Sequence, residues 1–210
     1  MVIRRFLVVA FTLGALALTG CSPTAPPGTP TPPSSSARPG SAAPTSPHAT
    51  TSRVVIPKDC RSLVSKADYG SVFGDTPLND PAMLDGGTPT GHVTPSAPPP
   101  GATQAEVLRG ATELICIWRD PAADITGLQV TVARVDPAVA KAYLAGLTAK
   151  GYTCGEAHSG LRCGLIKPNA TYPVDEGYTS FLRDDIYIDV SQANFPTNDL
   201  IGKIVGTLWG

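Results

Sequence analysis

The sequence predicts an α+β domain: an antiparallel sheet with helices packed on one face, held by two disulfides. Three observations carry this. Apolar residues alternate at a period of two in Glu113–Trp118, in Leu128–Val132 and again in Ile186–Val190. Segments near 137–147 and 200–208 carry them at helical spacing instead. Trp118-Arg-Asp, a strand, a proline and a helix are also echoed by Leu182-Arg-Asp, a strand, a proline and a helix. Strand pairs followed by a helix, twice, suggest two hairpin-plus-helix units of one layered fold.

The elements follow in order. A short helix is expected from about Asp59 to Phe73, with Ser65 and Asp68 forming a capping pair and Gly74 as the stop. Leu63, Val64, Ala67, Val72 and Phe73 are its core-facing candidates. Residues 75–103 are rich in Pro, Gly and Thr and end near Pro98-Pro99-Pro100. A loop of that length is either functional or disordered, and disorder is the expectation here. Regular structure is expected to resume at Glu113, in a strand where Leu114, Cys116 and Trp118 alternate with Ile115 and Ile117. The turn Asp120-Pro-Ala-Ala-Asp124 leads to the strand 128–132, making a hairpin with a long loop. Asp136 and Pro137 then open a helix that Gly151 can end, with Val139, Ala140, Tyr143, Leu144 and Leu147 as its stripe. Tyr143 in that stripe reads as core.

The second half repeats the scheme. Tyr152–Cys154 and Leu161–Ile166 form a hairpin, and Tyr178–Leu182 turns through Arg183-Asp184-Asp185 into Ile186–Val190. Thr197 or Asn198 is expected to cap a last helix bearing Leu200, Ile201, Ile204, Val205 and Leu208. Gly202 and Gly206 each weaken that helix by about 1 kcal/mol relative to Ala, so packing must hold it.

Four cysteines lie in this part: Cys60, Cys116, Cys154 and Cys163. Three pairings are possible, and the expected set is Cys60–Cys116 with Cys154–Cys163. The second pair flanks the turn-like Gly155–Gly160 and would staple a local hairpin. Chain entropy makes that short loop worth about 3 kcal/mol and the long one about 4. Metal binding is the alternative, but no Cys-x-x-Cys or Cys/His cluster supports it.

The amino terminus carries the address. Arg4 and Arg5 precede an apolar run, Phe6–Leu18, of 13 residues. That is short of the roughly 20 a membrane span needs, and right for a signal-peptide core. The run ends in Leu18-Thr19-Gly20-Cys21, which resembles the lipobox of bacterial lipoproteins. The resemblance implies cleavage before Cys21 and a diacylglycerol thioether on its sulfur, usually with a further acyl chain on the new amino terminus. Acyl chains contribute about 0.8 kcal/mol per buried methylene, enough for a stable anchor with two or three of them. Residues 1–20 are thus expected to be a signal peptide, and 21–52 a lipidated cysteine with a disordered Pro/Ser/Thr tether. The 158 residues at 53–210 then form one domain, large enough for a real core. The compartment is oxidising, which fits paired cysteines.

Removing Arg4 and Arg5 lowers the 16 basic side chains to 14, against 17 acidic ones, for a net charge of about −3. No basic run remains, so nucleic acid and acidic membrane surfaces are poor partners.

The sequence shows no recognised catalytic signature. His48 lies in the tether, His92 in the long loop and His158 in the Cys154–Cys163 turn, none at the end of a well-marked strand or helix. No Gly-x-Ser-x-Gly, His-Glu-x-x-His or phosphate-binding glycine loop occurs. Asp184, Asp185 and Asp189 with Asp175 and Glu176 suggest calcium only weakly, because the spacing is not that of a calcium loop. Asn169-Ala-Thr171 matches a glycosylation sequon by coincidence.

The order of lipobox, tether, "DCRSLVSKADYGSVFG" and later "LICIW" before a hairpin resembles small actinobacterial lipoproteins of unknown function. These pair an early Cys-x-x-Leu helix with a later Cys-x-Trp strand. More loosely, it is similar to the extracellular sensor domains of actinobacterial receptor kinases. The matching residues are Cys60, Leu63, Gly74, Cys116 and Trp118. The resemblance supports a Cys60–Cys116 bridge and implies no catalytic residues.

The leading expectation is therefore a non-catalytic binding module, lipid-anchored at the outer face of the cell membrane. It would hold a small ligand or an envelope protein in an apolar cleft of its sheet, lined by residues such as Trp118 and Tyr187, beside the 75–103 loop. No cofactor or metal is expected. One alternative is an envelope hydrolase whose site is assembled from distant residues, for which His158 beside a Ser or acidic side chain would be the sign. A further alternative is an accessory or structural envelope lipoprotein acting through a protein interface.

Overall fold

The computed structural model of the chain describes residues 53–84 and 90–210. The expected signal peptide, Cys21 and the tether lie outside the described residues.

Local chemistry sets each element. Asp59 caps a 3-10 turn at Cys60–Ser62, and helix α1 runs from Lys66 to Phe73. Ser65 Oγ accepts the Asp68 N–H at 3.1 Å, and Gly74, at φ 55°, ends the helix. The expected start near Asp59 was therefore early. The same Ser65–Asp68 pair read as a cap places the boundary correctly once the segment is split there. Leu63 and Val64 are buried in the connector, while Ala67 is exposed. Strand β1 is the short Gly91–His92. Helix α2, Gln104–Gly110, was not anticipated. It opens on a full capping box, with Thr103 Oγ1 accepting from the Glu106 N–H and Glu106 Oε2 accepting from the Thr103 N–H.

Strands β2, Thr112–Arg119, and β3, Gly127–Arg134, form the first long hairpin. Helix α3, Pro137–Leu147, starts under the Asp136 cap, and a 3-10 turn carries it to Gly151 at φ 89°. Strands β4, Thr153–Ala157, and β5, Gly160–Pro168, make the second hairpin. Strands β6, Asp175–Arg183, and β7, Ile186–Ala193, make the third. Helix α4, Leu200–Trp209, is capped by Asp199, one or two residues later than Thr197 or Asn198.

One sheet of seven strands results, in the order β1-β2-β3-β7-β6-β5-β4, and every neighbouring pair is antiparallel. The α+β class and both expected disulfides, Cys60–Cys116 and Cys154–Cys163, are present. The helices, however, divide between two faces. On β7, Ile186, Ile188 and Val190 point into one core with Val72 and Phe73 of α1 and Ile201, Ile204 and Val205 of α4. Tyr187 points the other way, into a second core with Leu108 of α2 and Ala140, Leu144 and Leu147 of α3. The expectation of one helical face fails because β7 buries both of its sides.

This division also bears on the internal echo. A twofold axis that carries β3 onto its antiparallel neighbour β7 must stand normal to the sheet, and it leaves helices on the same face. Helices α3 and α4 lie on opposite faces, so the two hairpin-plus-helix units are not related by such an axis.

The segment 75–103, expected to be disordered, is instead ordered where it is described; 85–89 lies outside the described residues. It covers the outer edge of β2. Leu78 bridges to Trp118, Arg119 N–H donates to the Pro77 carbonyl at 2.9 Å, and Val93 N–H donates to the Glu113 carbonyl at 2.8 Å. An edge strand leaves a row of backbone groups unpaired, and this proline-rich chain supplies their partners.

Candidate functional site

Helices α2 and α3 cover only part of their sheet face, and a cleft of about 290 Å³ opens beside them. Its floor is Gln129 and Thr131 of β3 with Tyr187 and Asp189 of β7, and its walls are Arg109 of α2 and Tyr143 of α3. Strand alternation explains the floor. Tyr187 and Asp189 are two residues apart on β7, and Thr131 stands opposite Asp189 on β3.

Asp189 is the chemical centre. Ser180 Oγ donates to its Oδ1 at 2.7 Å, and Tyr187 Oη lies 3.0 Å from Ser180 Oγ and 3.3 Å from that same oxygen. Burial raises the Asp189 carboxyl above the ordinary range, and the Ser180 and Tyr187 hydrogen bonds pull against that. Burial also raises the Tyr187 phenol, reinforced by the Asp189 charge, so Tyr187 remains a neutral donor. Tyr143 meets Tyr187 edge to face, with ring centroids 6.3 Å apart. Its phenol is raised, first by burial and then by Asp189, while Arg109 opposes the shift. Among the described residues neither Asp189 nor the exposed Arg109 has an ion-pair partner.

Tyr187 and Trp118, expected to share an apolar cleft, are not brought together, and the cleft at Tyr187 has the polar floor of Gln129, Thr131 and Asp189. Trp118 has 0% of its surface exposed, on the opposite sheet face. Its ring stacks on Phe73 at 3.9 Å, and its indole N–H donates to Tyr69 Oη at 3.0 Å. It is a core residue, and the aromatic partner of Tyr187 is Tyr143. Tyr143, read as core, is only half-buried and forms a wall of the cleft. Asp189 was not among the expected cleft residues, though it belongs to the weak calcium pattern. The acids of that pattern do not converge: Asp184 accepts from the Trp209 indole, Asp185 pairs with Arg134 at 2.6 Å, and Asp189 lies under the helices.

The other arrangement with chemical potential joins the tip of the β4–β5 hairpin to α4. His158 Nε2 lies 2.8 Å from Asp199 Oδ1, and His158 lines an open cavity of about 830 Å³ with Lys141, Glu156, Ser159 and Arg183. Asp199 is also the cap of α4, so the pair ties a hairpin to a helix start. Among the described residues no hydroxyl hydrogen-bonds to the His158 ring. The four cysteines among the described residues are all committed: Cys60 and Cys116 bind the 3-10 turn to β2, and Cys154 faces Cys163 across β4 and β5.

The class of molecule defined by these features is a disulfide-stapled α+β domain with a polar-floored cleft on one sheet face. No protein-family model, curated protein or solved structure matches the chain.

Proposed function

We propose that the chain is a lipid-anchored extracytoplasmic binding module, fixed to the cell membrane through Cys21, that holds a small ligand over Tyr187 and Asp189. One observation carries the ligand reading: a partly buried carboxylate opens on a cleft and has no ion-pair partner among the described residues. Such a group costs stability and is retained where a ligand uses it. The lipobox-like Leu18–Cys21 and the two disulfides support an exported, anchored form. No catalysis is expected at the cleft.

The test is ligand-detected NMR screening of a polar fragment set against the detergent-extracted chain, with a Thr131→Trp variant that fills the cleft as control. Hits that the variant loses support the reading; hits that it retains in full, or no hits, overturn it. Intact mass tests the anchor, since an unmodified Cys21 is incompatible with it.

A second reading, an envelope hydrolase, is favoured by the His158–Asp199 pair beside its cavity. An imidazole held by a carboxylate is half of a general-base arrangement. It predicts ester or amide hydrolysis that His158→Gln abolishes. Equal rates in the two proteins would remove it.

A further inference from the structure

The cleft has a direction, because its two unbalanced charges sit at different depths. Asp189 projects from the sheet floor and is partly buried, whereas Arg109 projects from α2 at the rim and is exposed. Tyr143 lines the same cleft as both groups, so a guest beside its ring has Asp189 at the floor and Arg109 at the wall.

At Asp189, Ser180 and Tyr187 both approach Oδ1, and Oδ2 has no hydrogen-bond partner among the described residues. A neutral donor would satisfy that oxygen geometrically. A cation would also recover the Coulomb attraction that burial strengthens. At the rim, the Arg109 guanidinium, which has no ion-pair partner among the described residues, matches a carboxylate. The cleft volume of about 290 Å³ is at the small end of ligand sites, which run roughly 300–1,000 Å³, so the guest is metabolite-sized.

We infer that the cleft takes a small zwitterion, with a primary ammonium group directed inward to Asp189 and a carboxylate directed outward to Arg109. This rests on the binding-module reading above and names its ligand class. The polar floor of Gln129 and Thr131 accommodates a short chain between the two ends without demanding one side-chain shape.

The experiment titrates the detergent-extracted full chain by calorimetry with matched series. These are glycine, 4-aminobutanoate and 6-aminohexanoate, each beside the amine, the acid and the neutral amide of the same carbon length. At least one amino acid is expected to bind about tenfold tighter than its amine, and about a hundredfold tighter than its acid or amide. Asp189→Asn removes ammonium binding, and Arg109→Gln brings the amino acid down to the level of its amine. Melting curves establish that both variants are folded. A readout free of mutation is the wild-type affinity for hexylamine, which stays charged as pH falls. It declines as Asp189 protonates, with Arg109 still charged and Tyr143 and Tyr187 still neutral. If acids or amides bind as well as amino acids, or Asp189→Asn binds amines unchanged, the zwitterion inference falls while the cleft remains a ligand site. If neither these series nor the fragment screen yields a cleft ligand, both fall.

Discussion

Asn79 closes the outer edge of β2 through Ile117 twice over. Its N–H donates to the Ile117 carbonyl at 2.7 Å, and its side-chain Oδ1 accepts the Ile117 N–H at 2.8 Å. The residue sits at φ 51°, a region Asn and Asp enter more readily than other side chains. Asn79→Ala therefore leaves a partly buried N–H without its partner and strains the backbone, at a cost of about 1–3 kcal/mol. Asn79→Asp keeps the acceptor and the conformation and stays within about 1 kcal/mol. Denaturant unfolding of the two variants checks the order.

Trp118 and Tyr187 should separate cleanly under mutation because the sheet lies between them. Trp118→Ala opens a void beneath Phe73 and strands the Tyr69 hydroxyl, costing about 3–5 kcal/mol. Cleft affinity measured on the protein that remains folded is unchanged. Tyr187→Phe costs about 1 kcal/mol, yet it alters the cleft, because Ser180 and Asp189 lose a polar neighbour. A Trp118 variant that stays fully folded but loses ligand would contradict the placement of the site.

The two disulfides should differ by the loops they close. Their sequence separations are 56 and 9. Replacing both Cys60 and Cys116 by Ala is expected to cost about 4 kcal/mol, and replacing Cys154 and Cys163 about 3. The first loss should be the more damaging in kind as well, since that bridge holds the 3-10 turn onto β2. Chemical denaturation of the two double variants gives the ranking.

The parts of this fold that were legible were those whose signal is local. Alternation in 113–118 and 186–190, the Asp136-Pro137 helix start and the hairpin between Cys154 and Cys163 all announce themselves within a few residues. Helix α2 had such a signal in Thr103-x-x-Glu106, but it stands just after a proline run and spans only seven residues. The ordering of 75–103 could not be read locally, because its partners are the edge groups of a strand some twenty to forty residues away. The site was legible by half. Tyr187 was singled out, but its alternation with Ile186 and Ile188 says nothing of what lies on its side of the sheet. Which residues share its face depends on the β3–β7 register, which pairs Thr131 with Asp189. Trp118 misled because an aromatic residue in a strand looks the same from the sequence whether a helix covers it or a ligand does.

Asp189 gives the pH dependence its sign. Burial raises its folded-state pKa above the unfolded value of about 3.9. The folded state therefore prefers the protonated acid. That contribution to stability is fully present below the unfolded pKa and is lost as pH rises through the folded one. At neutral pH the charged carboxylate is a burden on the fold, borne at a cleft floor. Asp189→Asn keeps the shape, and its side-chain oxygen can still accept from Ser180. It should melt a few degrees above the wild type at pH 7, and the gap should close as the pH falls toward 4. Asp68, Glu106 and Glu176 act in the opposite sense. Hydrogen bonds from Lys203, Thr103 and Tyr178 respectively lower their pKa values, so their contribution is lost on acidification in both proteins alike and cancels in the comparison. Differential scanning calorimetry of the pair from pH 4 to 8 measures the gap directly. A variant that melts below the wild type at pH 7 would mean that the carboxylate is balanced by a bound cation. Dialysis against chelator and then against 6-aminohexanoate would tell a metal from an ammonium group.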